Sequence, residues 1–71
     1  MRDVVIQAVA DALNVDTRQI TEETGVGDLP QWDSLGHINV ITSVEEATGR
    51  QFDIATQMDI QNVRDLIMAV E

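Results

Sequence analysis

The chain has 71 residues, which is enough for one small domain and too little for a large core with a deep substrate pocket. It contains no cysteine, and this excludes a disulfide framework and any metal site built from thiolates. Its 13 acidic residues outnumber its 4 basic ones, and the net charge of −9 disfavours binding to nucleic acid or to an anionic membrane surface.

The N-terminal segment predicts a first helix from about Asp3 to Leu13. Asp3 and Asp11 interrupt its apolar residues, so the segment is not typical of a signal peptide. No apolar run in the chain approaches the about 20 residues of a membrane span, and we expect a cytoplasmic protein without membrane attachment. The residues predicted to face the core recur at the spacing of one helix face: Val5, Ala8, Val9, Ala12 and Leu13.

A long connection follows the first helix, from Asn14 to Asp33. Glycine and proline cluster between Thr24 and Trp32, which favours turns in this part of the connection. We expect Val15 and Ile20 to attach the connection to the core. A connection of this length is unusual in so small a domain, and its length itself indicates a functional role.

The second predicted helix runs from about Ser34 to Thr48, and Gly49 is a suitable residue to end it. At about 100° per residue, Leu35 and Ile38 fall opposite the core face, among polar and acidic side chains. Single exposed apolar residues are common on protein surfaces, but an apolar pair with an acidic border is also typical of a docking patch. The residues predicted to face the core are Val40, Ile41, Val44 and Ala47.

The C-terminal third predicts two further helices. A short one lies near Ile54 to Met58, with Phe52 and Ile60 packing inward, and a longer one runs from about Val63 to Val70 with Asn62 as its N-cap. No stretch shows the sustained alternation of a strand. We therefore predict an all-α fold over residues 1–71, a small four-helix bundle of three main helices and one short helix.

Ser34 is the first candidate for chemistry, because it lies where the long connection meets the second helix. Free backbone N–H groups and the helix dipole favour an anionic substituent there, so a phosphate ester on its hydroxyl would be well placed. The alternative is that Ser34 only caps the helix, which is the commoner role of a serine in this position.

A hydrolase is a contrasting hypothesis, since Asp33, Ser34 and His37 are the residue types of a Ser–His–Asp site. The sequence offers no glycine-rich oxyanion element and no nucleophile elbow, and the chain is too short to exclude water from such a site. On the helical wheel His37 falls toward the core-facing side of the helix. A histidine in such a position is more often half-buried and hydrogen-bonded than catalytic. No cluster of side chains indicates a metal site.

The segment that begins at Asp33 reads DSLGHINVITSVEEATG, and it resembles the acyl and peptidyl carrier proteins. The resemblance extends over nearly the whole chain, through ITEETGVGDL before the serine and IQNVRDLI in the last helix. It implies that a phosphopantetheinyl transferase attaches 4′-phosphopantetheine from coenzyme A to Ser34. The thiol of this arm would hold an acyl or aminoacyl group as a thioester, so a chain without cysteine could still take part in thiol chemistry.

The resemblance also implies roles for residues near Ser34. Asp33 matches the acid that assists the metal-dependent transfer. The exposed positions that match contacts to partner enzymes are Leu35, Ile38, Thr42, Glu45 and Glu46. Gly36 and Asn39 stand where carriers of fatty-acid synthesis commonly have acids. Trp32 before the serine, and Gly36 with His37 after it, look more like stand-alone carriers of specialised pathways.

The partners that follow are a phosphopantetheinyl transferase, an acyl or aminoacyl ligase or transferase, and downstream synthase or tailoring enzymes of fatty acid, polyketide or nonribosomal peptide type. We expect a monomeric phosphoprotein without catalytic activity of its own, and Met1 and the compact length favour a free protein. The alternative is an acidic helical interaction module in which Ser34 is never modified and Leu35 and Ile38 bind a partner.

Overall fold

The computed structural model describes residues 1–71 and contains four α-helices and no strand. Helix α1 is Arg2–Leu13, α2 is Ser34–Thr48, α3 is Ile54–Asp59 and α4 is Val63–Val70, and a 3₁₀ turn at Thr17–Gln19 interrupts the long connection. The predicted all-α bundle is confirmed, and no predicted helix boundary is wrong by more than one residue. None of the helices has the length and apolarity needed to cross a membrane.

The core forms where α1 packs on α2, and α4 packs against α1 as well. Nearly all residues predicted to face the core from α1 and α2 are buried, and Ala12 is half-buried. Ile6 and Ala10 are buried as well, because α1 meets two neighbouring helices and therefore buries a wider stripe than one face. The prediction for Ala47 is wrong, since this residue is exposed and lines an open groove with Val4 on the flank of α1 and α2.

The long connection is held against the rest of the chain at both of its ends. Ile20 is buried and Val15 packs against the core, as predicted. Farther along, Val26 N–H donates to the Gln61 carbonyl at 2.9 Å, and Val63 N–H donates to the Thr24 carbonyl at 2.9 Å. These two bonds attach the glycine-rich part of the connection to the first residues of α4.

Ion pairs add a second attachment between the connection and the helices. Arg2 Nε of α1 lies 2.8 Å from a carboxylate oxygen of Glu22, and Arg64 of α4 lies 3.1 Å from Glu23 and 3.6 Å from Glu22. The hydrogen bond from Arg2 lowers the pKa of the Glu22 carboxyl below its usual value. All these side chains remain solvent-accessible, so the network orients the connection more than it stabilises the fold.

Three of the helices begin with a side-chain cap, and α2 ends at a glycine. Asn62 accepts a hydrogen bond from the Asp65 N–H, which confirms its predicted role at the start of α4. Asp53 accepts one from the Thr56 N–H at the start of α3. Gly49 takes a left-handed conformation with φ of 73° and ends α2, as predicted. Phe52 is half-buried against the core and Ile60 is buried, and both predictions are confirmed.

Candidate functional site

Ser34 is the first residue of α2 and its side chain is exposed. The cap of α2 is the preceding residue: Asp33 has extended backbone angles, and its carboxylate accepts the Gly36 N–H at 2.8 Å. The interpretation of Ser34 as the N-cap is therefore wrong. The N-cap needs an extended backbone, which Asp33 has, whereas Ser34 already belongs to the helix. The Ser34 hydroxyl therefore takes no part in capping the helix.

The start of α2 provides backbone donors beside this hydroxyl. The Gly36 N–H is taken by the Asp33 carboxylate, and the His37 N–H donates to the Asp33 carbonyl at 2.8 Å. The N–H groups of Ser34 and Leu35 have no acceptor within the helix, as in the first turn of any α-helix. They point along the helix dipole, and both effects favour a negative charge at the Ser34 oxygen.

An open groove of about 560 Å³ runs beside Ser34. It brings together three parts of the chain, namely the glycine-rich connection, the first turn of α2, and α3 with the residues that follow it. The wall is apolar where Val26, Met58 and Ile60 contribute and polar where Ser34, His37 and Gln61 do. Such a groove can accommodate an extended, partly polar group that starts at the serine.

The residues around Ser34 that were predicted to face partners are placed on two parts of α2. Leu35 and Ile38 are 68% and 61% exposed, which confirms that they point away from the core. Thr42 and Glu46 are exposed one and two turns farther along, on a separate polar groove. Their contacts with partners stay predictions.

Glu45 is less available than its neighbours on α2. It is half-buried, and one carboxylate oxygen accepts the Phe52 N–H at 2.8 Å, so Glu45 helps to fix the segment between α2 and α3. Its predicted contact with a partner would use only the part of the carboxylate that this bond leaves free.

Two apolar residues of α3 are exposed, and the sequence does not identify them as surface residues. Ile54 and Met58 are 74% and 75% exposed, and Met58 lines the groove beside Ser34. Val26 is the third such residue, at 48% exposed. No periodic pattern marks Val26 and Met58, because their proximity to Ser34 depends on how the connection and α3 fold back toward α2.

His37 is half-buried and hydrogen-bonded, as predicted. Its Nδ1 accepts the indole N–H of Trp32 at 3.0 Å, and its Nε2 lies 3.0 Å from the Gln57 carbonyl oxygen. An indole N–H can only donate and a carbonyl can only accept, so these two contacts fit the imidazole tautomer that has its proton on Nε2. Neither ring nitrogen is free to take a proton from Ser34.

The same contacts bear on the hydrolase hypothesis. The Asp33 carboxylate is directed to the Gly36 N–H and not to His37, so the three residues do not form the hydrogen-bonded series that a Ser–His–Asp site requires. Trp32, which the sequence placed only in a connection, is completely buried beside the imidazole.

Gly36 has a structural requirement that explains one departure from the acidic carriers. A Cβ atom at this position would meet the backbone carbonyl of Gln31, which crosses over the first turn of α2. An acidic side chain cannot occupy position 36 unless the segment before Trp32 moves. The lower negative charge near Ser34 is thus coupled to the path of the connection.

Comparison with known families agrees with this geometry. The family model described as "Phosphopantetheine attachment site" matches residues 3–70. No curated protein gives a significant match to the chain. Domains of this family are generally non-catalytic carriers, which phosphopantetheinyl transferases modify and which interact with synthases. Because the match spans nearly the whole described fold, the chain belongs to the phosphopantetheine-binding carrier family, whose covalent prosthetic group is 4′-phosphopantetheine.

Proposed function

We propose that Ser34 is the attachment site of 4′-phosphopantetheine and that residues 1–71 form one carrier domain that presents acyl or aminoacyl groups to other enzymes. The observation that carries this proposal is an exposed serine hydroxyl at the first position of α2, with the cap of that helix supplied by Asp33 instead. The bound arm supplies the thiol on which cargo is held as a thioester.

The residues near Ser34 fit an attached phosphodiester. The hydroxyl is accessible to a transferase, and the free N–H groups of Ser34 and Leu35 stabilise the negative charge that the ester introduces. The groove lined by Val26 and Met58 includes the same serine in its wall and gives a surface along which an extended group can lie.

Asp33 has two roles in this proposal. Its carboxylate holds the Gly36 N–H, which fixes the first turn of α2 and therefore the direction of the Ser34 side chain. It also lies next to the hydroxyl that must lose its proton, where a carboxylate can assist a metal-dependent transferase. Replacing Asp33 by asparagine would keep the cap and remove the charge, and so separate the two roles.

Two exposed parts of α2 can contact partner enzymes, an apolar part next to Ser34 and an acidic part near the C-terminal end of the helix. Leu35 and Ile38 form the exposed part on α2, and Glu46 is the freely exposed acid farther along the helix. We assign these residues, with Thr42 and in part Glu45, to contacts with the transferase, with an acyl or aminoacyl ligase, and with downstream synthase or tailoring enzymes. The net charge of −9 suits partners with basic patches.

A specialised pathway is favoured over primary fatty-acid synthesis. The first turn and a half of α2 has Gly36 and Asn39 in place of acids, and Gly36 cannot take a side chain without displacing Gln31. An enzyme that recognises carriers by acids close to the serine would therefore find only Asp33 there, and the acids within α2 itself lie at its far end.

The experiment is a loading reaction with coenzyme A, Mg²⁺ and a broad-specificity phosphopantetheinyl transferase, followed by intact-mass measurement. We expect one added phosphopantetheine on the wild type and none on Ser34→Ala. Ser43→Ala is the matched control, because Ser43 is the only other serine and its hydroxyl donates to the Ala8 carbonyl at 2.8 Å. An adduct that persists on Ser34→Ala, or its absence from the wild type, would contradict the proposal.

An unmodified interaction module is the second candidate, and the exposed apolar residues Leu35, Ile38, Ile54 and Met58 favour it. It predicts no adduct in the loading reaction. It also predicts that a captured partner binds Ser34→Ala as tightly as the wild type, whereas Leu35→Ala weakens binding.

A further inference from the structure

Helix α3 has little burial of its own to hold it in place. It is six residues long and none of its residues is buried. Its two large apolar side chains, Ile54 and Met58, are about three-quarters exposed. A helix of this length does not persist in water through its own backbone bonds, so contacts from outside must maintain it.

The hydrogen bonds of α3 are local with one exception. The Asp53 carboxylate accepts the Thr56 N–H, and the Gln57 side chain donates to the Phe52 carbonyl, so both bonds stay within the same short segment. The bond between His37 Nε2 and the Gln57 carbonyl crosses from α3 to α2, over a separation of 20 residues. It joins a residue of α3 itself to the first turns of α2, whereas the bond from the Phe52 N–H to Glu45 holds only the segment before α3, farther from Ser34 along α2.

The hydrogen bond from Trp32 determines which ring nitrogen of a neutral His37 carries the proton. The indole is completely buried, and its N–H donates to Nδ1 of the imidazole. With Nδ1 acting as an acceptor, the proton of a neutral imidazole must lie on Nε2, where it is directed at the Gln57 carbonyl. The ring planes of Trp32 and His37 lie within 21° of each other and their centroids are 6.2 Å apart, so the two rings meet edge to edge through this hydrogen bond.

We propose that His37 is a positioning residue that fastens α3 to α2, and that the series Trp32–His37–Gln57 thereby sets the surface next to Ser34. Met58 of α3 lines the same groove as Ser34 and His37 of α2. A displaced α3 would move Met58 and Ile54 away from the surface that a partner enzyme meets, without altering the serine hydroxyl. Only this last step rests on the proposed function of Ser34.

The test compares His37→Leu, which lacks both hydrogen-bonding groups, with His37→Gln, whose amide can donate to the Gln57 carbonyl and accept from Trp32. Amide hydrogen exchange of residues 54–60 is measured against that of α1 and α4 in the same molecule. We expect His37→Leu to speed exchange in α3 by about three- to tenfold, as expected for the loss of one hydrogen bond, and His37→Gln to restore most of the protection.

The emission of Trp32, the only tryptophan, gives a second readout. It should change in His37→Leu and return toward the wild-type spectrum in His37→Gln, since the indole N–H regains an acceptor. Unchanged exchange in α3, an equal rise throughout the chain, or a failure of glutamine to restore protection would each overturn the proposal.

The functional step is measured separately with the transferase. The positioning role predicts that His37→Leu raises KM more than it lowers kcat, because the hydroxyl is intact and the docking surface is not. An equal fall in kcat/KM for His37→Leu and His37→Gln would contradict the positioning role. The exchange and fluorescence results do not require any modification of Ser34, so a failed loading reaction and a failed His37 proposal remain distinguishable.

Discussion

Helices α3 and α4 follow each other in the chain, and both begin with a side-chain cap that accepts the N–H three residues later. They differ in what they bury. α4 places Val63, Leu66, Ile67 and Val70 in the core, whereas α3 buries no residue and exposes Ile54 and Met58. A cap can start a helix, but burial decides whether the helix stabilises the fold. α4 belongs to the scaffold, and α3 belongs to the surface beside Ser34.

The largest expected effect tests whether burial makes α4, and not α3, contribute to the stability of the fold. Leu66 of α4 is completely buried, so Leu66→Ala should lower the free energy of unfolding by about 3 kcal/mol. Met58→Ala in α3 should change it by less than about 0.5 kcal/mol, because the Met58 side chain is 75% exposed. Urea denaturation followed by circular dichroism measures both. Similar losses in the two variants would show that α3 is part of the scaffold after all.

The next effect concerns how α4 is joined to the long connection. A Cβ at Gly25 would meet the Gln61 carbonyl and the Asn62 side chain, where the connection pairs with the start of α4. Gly25→Ala should therefore destabilise the fold by about 2 kcal/mol. The neighbouring Val26→Ala is the control and should be nearly neutral in the same urea experiment, since Val26 is about half exposed. If Gly25→Ala left the free energy of unfolding unchanged, the pairing between the connection and the start of α4 could open without a loss of stability.

The sequence was sufficient to predict the elements whose signals are local. The apolar periodicity gave α2 and α4 their bounds, Gly49 and Asn62 were identified as an end and a start, and Leu35 and Ile38 were placed on the outside of α2. Each of these predictions depends on residues within a few turns of one another.

The remaining features depend on which segments meet in the folded chain. Asp33 and Ser34 are both good caps, and only the backbone path decides that Asp33 takes the role. The burial of Trp32, its bond to His37 and the bond from His37 to Gln57 join three segments, and no periodic pattern reveals such a series. Ala47 was placed in the core by its angle on the wheel, but α1 leaves that flank of α2 open.

A smaller effect compares the caps themselves. Asn62→Ala should cost about 1 kcal/mol of global stability, because α4 unfolds only with the whole domain. Asp53→Ala removes the corresponding cap of α3 and should instead speed hydrogen exchange in residues 54–59 while the urea midpoint stays close to that of the wild type. Thermal or urea unfolding and site-resolved exchange, recorded on both variants, separate the two outcomes. A midpoint shift as large for Asp53→Ala as for Asn62→Ala would contradict the distinction.

The smallest expected effect is the pH dependence of the α3 cap. The hydrogen bond from the Thr56 backbone N–H lowers the pKa of the Asp53 carboxyl below its usual value. A lowered pKa in the folded state means that the cap contributes fully above the ordinary pKa of aspartate, about 3.9, and is lost as the pH falls through the lower folded value. The amide resonance of Thr56, followed by NMR, should therefore shift only in this acidic range.

Asp53→Asn is the matched control for this titration, because an asparagine can cap the helix and has no proton to gain. In this variant the Thr56 resonance should not follow the same acidic transition, and α3 should keep its exchange protection at a pH where the wild type loses it. The cap of α4 is already an asparagine, so the wild-type protein holds an internal reference. If α3 and α4 lost protection together on acidification in both proteins, the transition would belong to the whole domain, and the separate attachment of α3 would be refuted.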